Sequence, residues 1–169
     1  MEEKVDILDG KGTIVSTCTK KEAHEKGLLH KTVVAEVINS KGEWLLVKQA
    51  PDRQDANQYV SPVGGHVSAH ESEEEALCRE TFEELGMNNI TYKRVGEDVF
   101  SREVLGRKEN HLFVVFEIFS DETPILNHES VSYKRFTPAE LKRMISENSQ
   151  QLGDAFHFLA RTVYKDYFA

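Results

Sequence analysis

Between Tyr59 and Met87 the chain passes from short extended pieces into a helix whose two ends are both written in the sequence. The extended pieces, Tyr59 to Val63 and Gly65 to Val67, surround a Gly64-Gly65 pair. Ser72 and Glu75 have the spacing of a capping box, in which each side chain satisfies the other residue's backbone amide. Gly86 stands where a helix end favours a left-handed residue. Leu77, Cys78, Thr81, Phe82 and Leu85 fall within about 140° of arc at 3.6 residues per turn, so that stripe is expected to be the buried face.

The rest of the chain supplies strands. Val5 to Leu8 and Thr13 to Thr17 read as strands joined by the turn Asp9-Gly10-Lys11-Gly12, and Lys20 to Lys26 as one or two helical turns stopped by Gly27. His30 to Ile38 is strongly β-like, and Asn39-Ser40-Lys41-Gly42 turns it back into Trp44 to Gln49. Pro51 to Asn57 is polar and loop-like. Leu112 to Phe119 is a nearly continuous apolar run carrying one charge, Glu117, and reads as a central strand. Thr137-Pro138-Ala139-Glu140 starts another helix, with Thr137 as cap and Pro138 in the first turn. A final helix is expected from about Asp154 to Phe168. Strands mixed with a few helices, without regular alternation, indicate an α+β fold with a mixed sheet between helices, not a doubly wound one. With no repeat, low-complexity segment or linker, residues 1–169 are expected to form one domain.

Composition narrows the function classes. The chain is 39% apolar and 30% charged, with a net charge of −8. Such a surface repels phosphate backbones, so a nucleic acid polymer is not an expected partner. No apolar run suits a membrane span, and MEEKVDILDG lacks the apolar core of a secretory signal. Cys18 and Cys78 make no disulfide framework, which leaves a reducing cytoplasm as the expected compartment. An acidic protein can still handle a small phosphorylated substrate when metal cations mediate the contact.

The carboxylates for such cations are in the helix. In GHVSAHESEEEALCRETFEELGM, Gly65 to Met87, the residues Glu80, Glu83 and Glu84 stand at i, i+3 and i+4 and so share one face beside the apolar stripe. Like charges at this spacing repel by roughly 0.2–0.5 kcal/mol per pair on an isolated helix. A hard divalent cation held by carboxylate oxygens removes that cost. Glu73-Glu74-Glu75, by contrast, reads as a solvated face at the positive end of the helix dipole.

This segment resembles the Nudix box of the Nudix hydrolase (MutT-like) superfamily, with Thr81 at a place where the family generally has an aliphatic residue. Weaker similarity extends to GEWLLVKQ before it and YKRFTPAEL after it. The resemblance implies a Nudix α/β/α sandwich and a Mg²⁺-dependent hydrolase, with Mn²⁺ as a second candidate ion. Its substrate would be a nucleoside diphosphate derivative or a similar small organic diphosphate. It implies Glu80, Glu83 and Glu84 as metal ligands, joined by the Gly64 carbonyl, with Glu80 as ligand or base. Arg79 would belong to the catalytic set by orienting the carboxylates. Gly65, Glu71 and Gly86 would be structural, Glu71 at the loop-helix junction. Glu109 and Glu117 are further candidates for the base. Homodimers are common among such relatives.

A second constellation, His24, His30, His66, Glu109 and His111, resembles the metal-binding set of type I isopentenyl-diphosphate isomerase, which shares the Nudix fold. AHEKGLLH supplies two histidines, GGH the third, and ENH the acidic position. Two departures count against isomerisation. Gly64 stands where that enzyme needs a catalytic cysteine, and His111 replaces its second acid. The chain therefore looks like a hydrolase of the isomerase-like branch, the alternatives being an isopentenyl-diphosphate isomerase-like enzyme or a non-catalytic nucleotide-binding Nudix module. In the latter Trp44, Tyr59 and Phe100 could stack a base, although core positions suit them as well.

Overall fold

The computed structural model describes residues 1–169, and its elements lie largely where the sequence puts them. In chain order they are β1 (Lys4–Leu8), β2 (Ile14–Thr19), α1 (Lys20–Lys26), β3 (His30–Ile38), β4 (Trp44–Gln49), β5 (Tyr59–Val60) and β6 (Val63–His66). There follow α2 (Glu73–Leu85), β7 (Thr91–Val104), β8 (Arg107–Phe119), β9 (Ser130–Phe136), α3 (Pro138–Glu147) and α4 (Asp154–Arg161). Both capping boxes form, at Ser72/Glu75 and at Thr137/Glu140. Gly27 and Gly86 end their helices in the left-handed conformation, at φ 66° and 68°. No helix is long and apolar enough to cross a membrane.

All nine strands join one mixed sheet. Its axis is the parallel pairing of β3 with β8, from His30↔His111 to Ile38↔Phe119. β7 runs antiparallel along β8 as the second arm of a long hairpin. On its other edge β3 forks. It pairs with β4 only at Val37↔Leu45 and Ile38↔Trp44, then leaves β4 and pairs with β6 from Ala35↔Val63 to Thr32↔His66. β4 meanwhile goes on with β5 and β9. The wedge between the two branches opens a cavity.

The side-chain alternation of β3 sorts the two cores, because successive residues point to opposite faces. Val33, Ala35 and Val37 join Ala76, Leu77, Leu85 and Met87 under α2. Val34 joins Trp44, Leu46, Phe113, Leu141, Phe156 and Leu159 under α3 and α4. A mixed sheet between helices is thus what the expected sandwich requires.

Two expectations need correction. Cys78 and Phe82 are exposed, Phe82 by 54%, so the buried face of α2 is Ala76, Leu77, Thr81 and Leu85. The helix is rolled toward its carboxylates because β6 presents glycines there and lets the Glu80 and Glu84 side approach. α4 stops at Arg161 rather than Phe168. The Thr162 hydroxyl and amide both turn onto the Phe158 carbonyl, and the Tyr164 amide reaches back to Leu159. The tail then folds over Trp44, whose indole N–H donates to the Tyr167 hydroxyl at 3.2 Å. β7 and β9 are additional strands where no element was expected.

One buried charge site lies on the α3/α4 side of the sheet. Glu36 is fully buried and faces the position of Glu117 on β8, and its second carboxylate oxygen lacks a partner. Burial lifts its carboxyl from 4.5 to about 7, against the Ser61 hydroxyl that donates to it, and the Glu117 charge adds to the rise. A carboxyl raised in the folded state binds its proton more tightly there than in the unfolded chain. Stability therefore falls as pH rises from about 4.5 to about 7, and is level on either side. Glu36→Gln should abolish that slope and stabilise the protein at pH 7.5 by on the order of 2 kcal/mol. Urea melts at pH 5 and pH 7.5 test this, and equal slopes in the two proteins would refute it.

Candidate active site

The fork cavity has a volume of about 560 Å³ and is bordered on one side by α2. Glu80, Glu83 and Glu84 all line it, as the helical spacing requires. They differ in exposure: the Glu83 side chain is 53% exposed, that of Glu80 only 13%. Burial raises the Glu80 carboxyl despite the Arg79 guanidinium beside it, and it holds the Glu84 carboxyl well above the ordinary carboxylate range.

Arg79 ties the constellation to the backbone. Its Nε and Nη2 donate to the two oxygens of Glu71 at 3.1 and 3.0 Å, and Nη1 donates to Glu80 at 2.7 Å. Nη2 also donates to the His66 carbonyl at 2.9 Å, and Nη1 stands 3.7 Å from a Glu83 oxygen. Glu71 in turn accepts the Ser68 amide at 3.2 Å, which closes the turn leading into α2. The Gly64 amide donates to Glu84 at 2.9 Å, so the loop's contact with this carboxylate runs through an N–H. Thr81, unusual at its position, is satisfied by donating its hydroxyl to the Leu77 carbonyl at 2.6 Å.

Gly65 is required by space. A Cβ at this residue would fall within bonding range of the Glu80 carboxylate. The cradle therefore exists for that carboxylate. The half-buried, raised Glu80 and Glu84 carboxyls, with the exposed Glu83 beside them on the same polar cavity, are a hard-oxygen donor set that fits a small divalent cation such as Mg²⁺.

The histidines also converge. His24 from α1, His30 from β3, His66 from β6 and His111 from β8 bring one ring nitrogen each to within 4.8 Å of one another. His24 Nε2 lies 3.2 Å from Nε2 of both His111 and His66. The His30 ring makes its Nδ1 contact with the Leu28 carbonyl at 2.7 Å, which leaves a buried Nε2 with no partner. Burial lowers the pKa of all four, His24 to about 4 and His111 to about 2, so the rings are neutral at physiological pH. Glu109 does not join them. Its carboxylate is held by Arg102 at 2.7 Å and by Arg107. Glu117 does not line the cavity, and its side chain stands 3.5 Å from Lys93.

Of the aromatic residues, Trp44 is in the core and Tyr59 packs edge-on against Phe136. Of these three candidates only Phe100 lines the cavity, together with Phe113, on which it stacks. Sequence reasoning missed Arg53, Asp55 and Glu129, which line the cavity from loops. The only signal was a polar composition, because no regular period exists there to interpret.

Comparisons with known proteins bear on family and fold. The NUDIX domain family matches residues 28–156. An isopentenyl-diphosphate Delta-isomerase of Aliivibrio fischeri (strain MJ11) is 27% identical over 98% of this chain and 94% of its own length. The nucleoside triphosphatase NudI of Escherichia coli O139:H28 is 32% identical over 66% of this chain and 84% of its own length. In fold, the chain is similar to DR0079 from Deinococcus radiodurans, with a TM-score of 0.78 at 22% identity, covering 96% of this chain and 99% of that one.

Gly65→Ala tests the cradle. The added methyl should push the Glu80 carboxylate aside while leaving the fold intact, because only the end of a flexible side chain must move. We expect a melting temperature close to wild type with Mg²⁺ affinity reduced about tenfold, equivalent to about 1.4 kcal/mol. Unchanged Mg²⁺ binding would show that Glu80 does not need this position.

Proposed function

The chain belongs to the Nudix family, its NUDIX domain spanning residues 28–156, and from that premise we propose a Mg²⁺-dependent hydrolase. It cuts the diphosphate bond of a nucleoside diphosphate derivative or similar small organic diphosphate, with Mn²⁺ as an alternative ion. One observation carries the reading: Glu80, Glu83 and Glu84 meet at the mouth of the forked-sheet cavity, with their surplus negative charge only partly offset by Arg79.

A diphosphate resists hydrolysis because its anionic oxygens repel a nucleophile. Mg²⁺, when bound, would supply neutralising charge and order a water. Glu83 and Glu84 would hold the ion together with Glu80. Arg79 fixes the Glu80 rotamer, and the Gly64 amide fixes that of Glu84. Of the three candidates for the base, Glu109 is paired with arginines and Glu117 lies outside the cavity, which favours Glu80. Val34 on β3, Val47 and Val60 on the β4–β5 branch, and Phe100 on β7 supply walls for the organic group. Isomerisation is disfavoured by Gly64, which offers no side chain where a thiol is needed. Cys78 is exposed, and Cys18 lies in β2.

The four histidines support a second metal site, with Glu109 outside the ligand set. An all-imidazole set without carboxylate suits Zn²⁺ better than Mg²⁺. Nitrogen ligands about 2.05 Å from a tetrahedral Zn²⁺ stand about 3.3 Å apart, close to the observed 3.2 Å contacts. With four protein ligands such a site is closed, and its role would be to pin α1 onto β3, β6 and β8.

Two measurements test these assignments. Glu83→Gln should lower kcat by about a hundredfold or more on a diphosphate that the wild type cleaves, without loss of fold, because Glu83 is exposed. Near-wild-type turnover would remove Glu83 from the metal set. Purified protein should contain about one equivalent of Zn²⁺ by elemental analysis, and a strong chelator should lower its melting temperature. His24→Ala should lose the metal and the chelator effect together. A metal-free wild type indifferent to Zn²⁺ and to chelator would sink the four-histidine site.

A further inference from the structure

Four arginines line the fork cavity, and three are committed to strong partners. Arg79 is held by Glu71, Glu80 and the His66 carbonyl. Arg102 makes bidentate contact with Asp55 at 2.8 and 3.2 Å and also holds Glu109, to which Arg107 donates as well. Arg53 differs. Its Nη2 stands 3.0 Å from Glu129 Oε1, with the two side chains still 32% and 30% exposed. Its Nε is buried without any hydrogen-bond partner; so is that of Arg107, but Arg107 is tied to a Glu109 whose side chain is only 5% exposed.

Glu129 lies outside the motif, in the segment between β8 and β9, yet it is anchored to the motif helix. Asn127 donates to the Glu83 carbonyl at 3.2 Å and accepts the Glu129 amide at 3.0 Å. The Ile125 amide donates to the Leu85 carbonyl at 2.8 Å. The Glu129 carbonyl accepts the Ala50 amide at 2.9 Å, just before the loop that carries Arg53. Glu129 is thereby presented to the same cavity as the three box glutamates. Its charge adds to the burial that keeps the Glu80 and Glu84 carboxyls raised.

We propose that Arg53 and Glu129 are an exchangeable pair: with substrate bound, Arg53 leaves Glu129 for a phosphoryl oxygen, and Glu129 turns to the cation held by Glu80, Glu83 and Glu84. The inference rests on reading this cavity as a diphosphate hydrolase site. A partly exposed ion pair contributes little, so parting it costs little. A guanidinium with spare donors gains a charge-assisted fork on phosphate, a geometry that lysine cannot reproduce. The carboxylate released in the same movement adds negative charge where the cation sits.

The pair makes opposite-sign predictions, measured by calorimetry on the whole protein with Mg²⁺ and with methylenediphosphonate in excess Mg²⁺. Glu129→Gln should weaken Mg²⁺ binding about tenfold. Arg53→Ala should tighten Mg²⁺ binding severalfold by freeing Glu129, and weaken diphosphonate binding about tenfold. The double variant should bind Mg²⁺ like Glu129→Gln, because Arg53 acts on the metal through Glu129. Arg53→Lys should recover part of the diphosphonate affinity. With a cleaved substrate in hand, Arg53→Ala should raise KM and Glu129→Gln should lower kcat. The proposal is overturned if Arg53→Ala leaves diphosphonate affinity unchanged, or if Glu129→Gln leaves Mg²⁺ affinity unchanged. Additive Mg²⁺ effects in the double variant would overturn it too. If the binding pattern holds but the wild type cuts no diphosphate, the hydrolase reading fails and the pair stands. Turnover without the pattern means the reverse.

Discussion

The Arg79 guanidinium is the contact on which the site depends. From one turn of α2 it reaches the junction glutamate Glu71, the ligand candidate Glu80 and the backbone of β6 at His66. Helix, loop and strand are thus fixed relative to one another by one planar cation with five donors in a set geometry. Its hold on the His66 carbonyl also fixes the strand residue whose imidazole enters the histidine cluster. Two clusters of different chemistry, one of oxygen donors and one of nitrogen donors, therefore share a common mount.

The fork of the sheet gives that mount its purpose. A sheet in which β3 and β4 stayed paired along their full length would have no cavity between them. Because β3 passes to β6 after two residues of pairing with β4, the Gly64-Gly65 backbone faces α2 and the wedge opens beside it. Glycine is needed here for closeness, since the Glu80 carboxylate occupies the volume a methyl would take. The strand pairing, the roll of α2 and the exposure of its glutamates are one arrangement described three ways.

Much of this was legible in the sequence because it is local. Capping boxes, glycine stops and the β3–β4 turn act over a few residues, and those elements fell where the sequence placed them. The roll of α2 was not legible. Hydrophobicity assigned Cys78 and Phe82 to the core, whereas the half-buried arc belongs to Glu80 and Glu84, whose burial depends on glycines of another element. β7 escaped because its residues are mostly exposed and polar or charged, and the strand is held by pairing with β8 rather than by burying a face. Arg53 and Glu129 come from separate loops and carry no pattern that would join them. The four histidines could be brought together through the resemblance, but the diversion of Glu109 required knowing where Arg102 and Arg107 stand.

The parallel pairing of β3 with β8 has a consequence for how the molecule is made. His30 meets its partner only at His111, about eighty positions later. During synthesis the motif helix and the glycine strand emerge well before the strand that completes the sheet axis. Until then one side of β3 carries unpaired amides and carbonyls next to valines that belong in both cores. Loop closure over that span costs entropy that local turns do not, and long-range pairing of this kind slows folding. The segment that bears the chemistry is thus locally formed early and globally fixed late, which makes the incomplete chain, more than the finished one, the form that is open to misassociation.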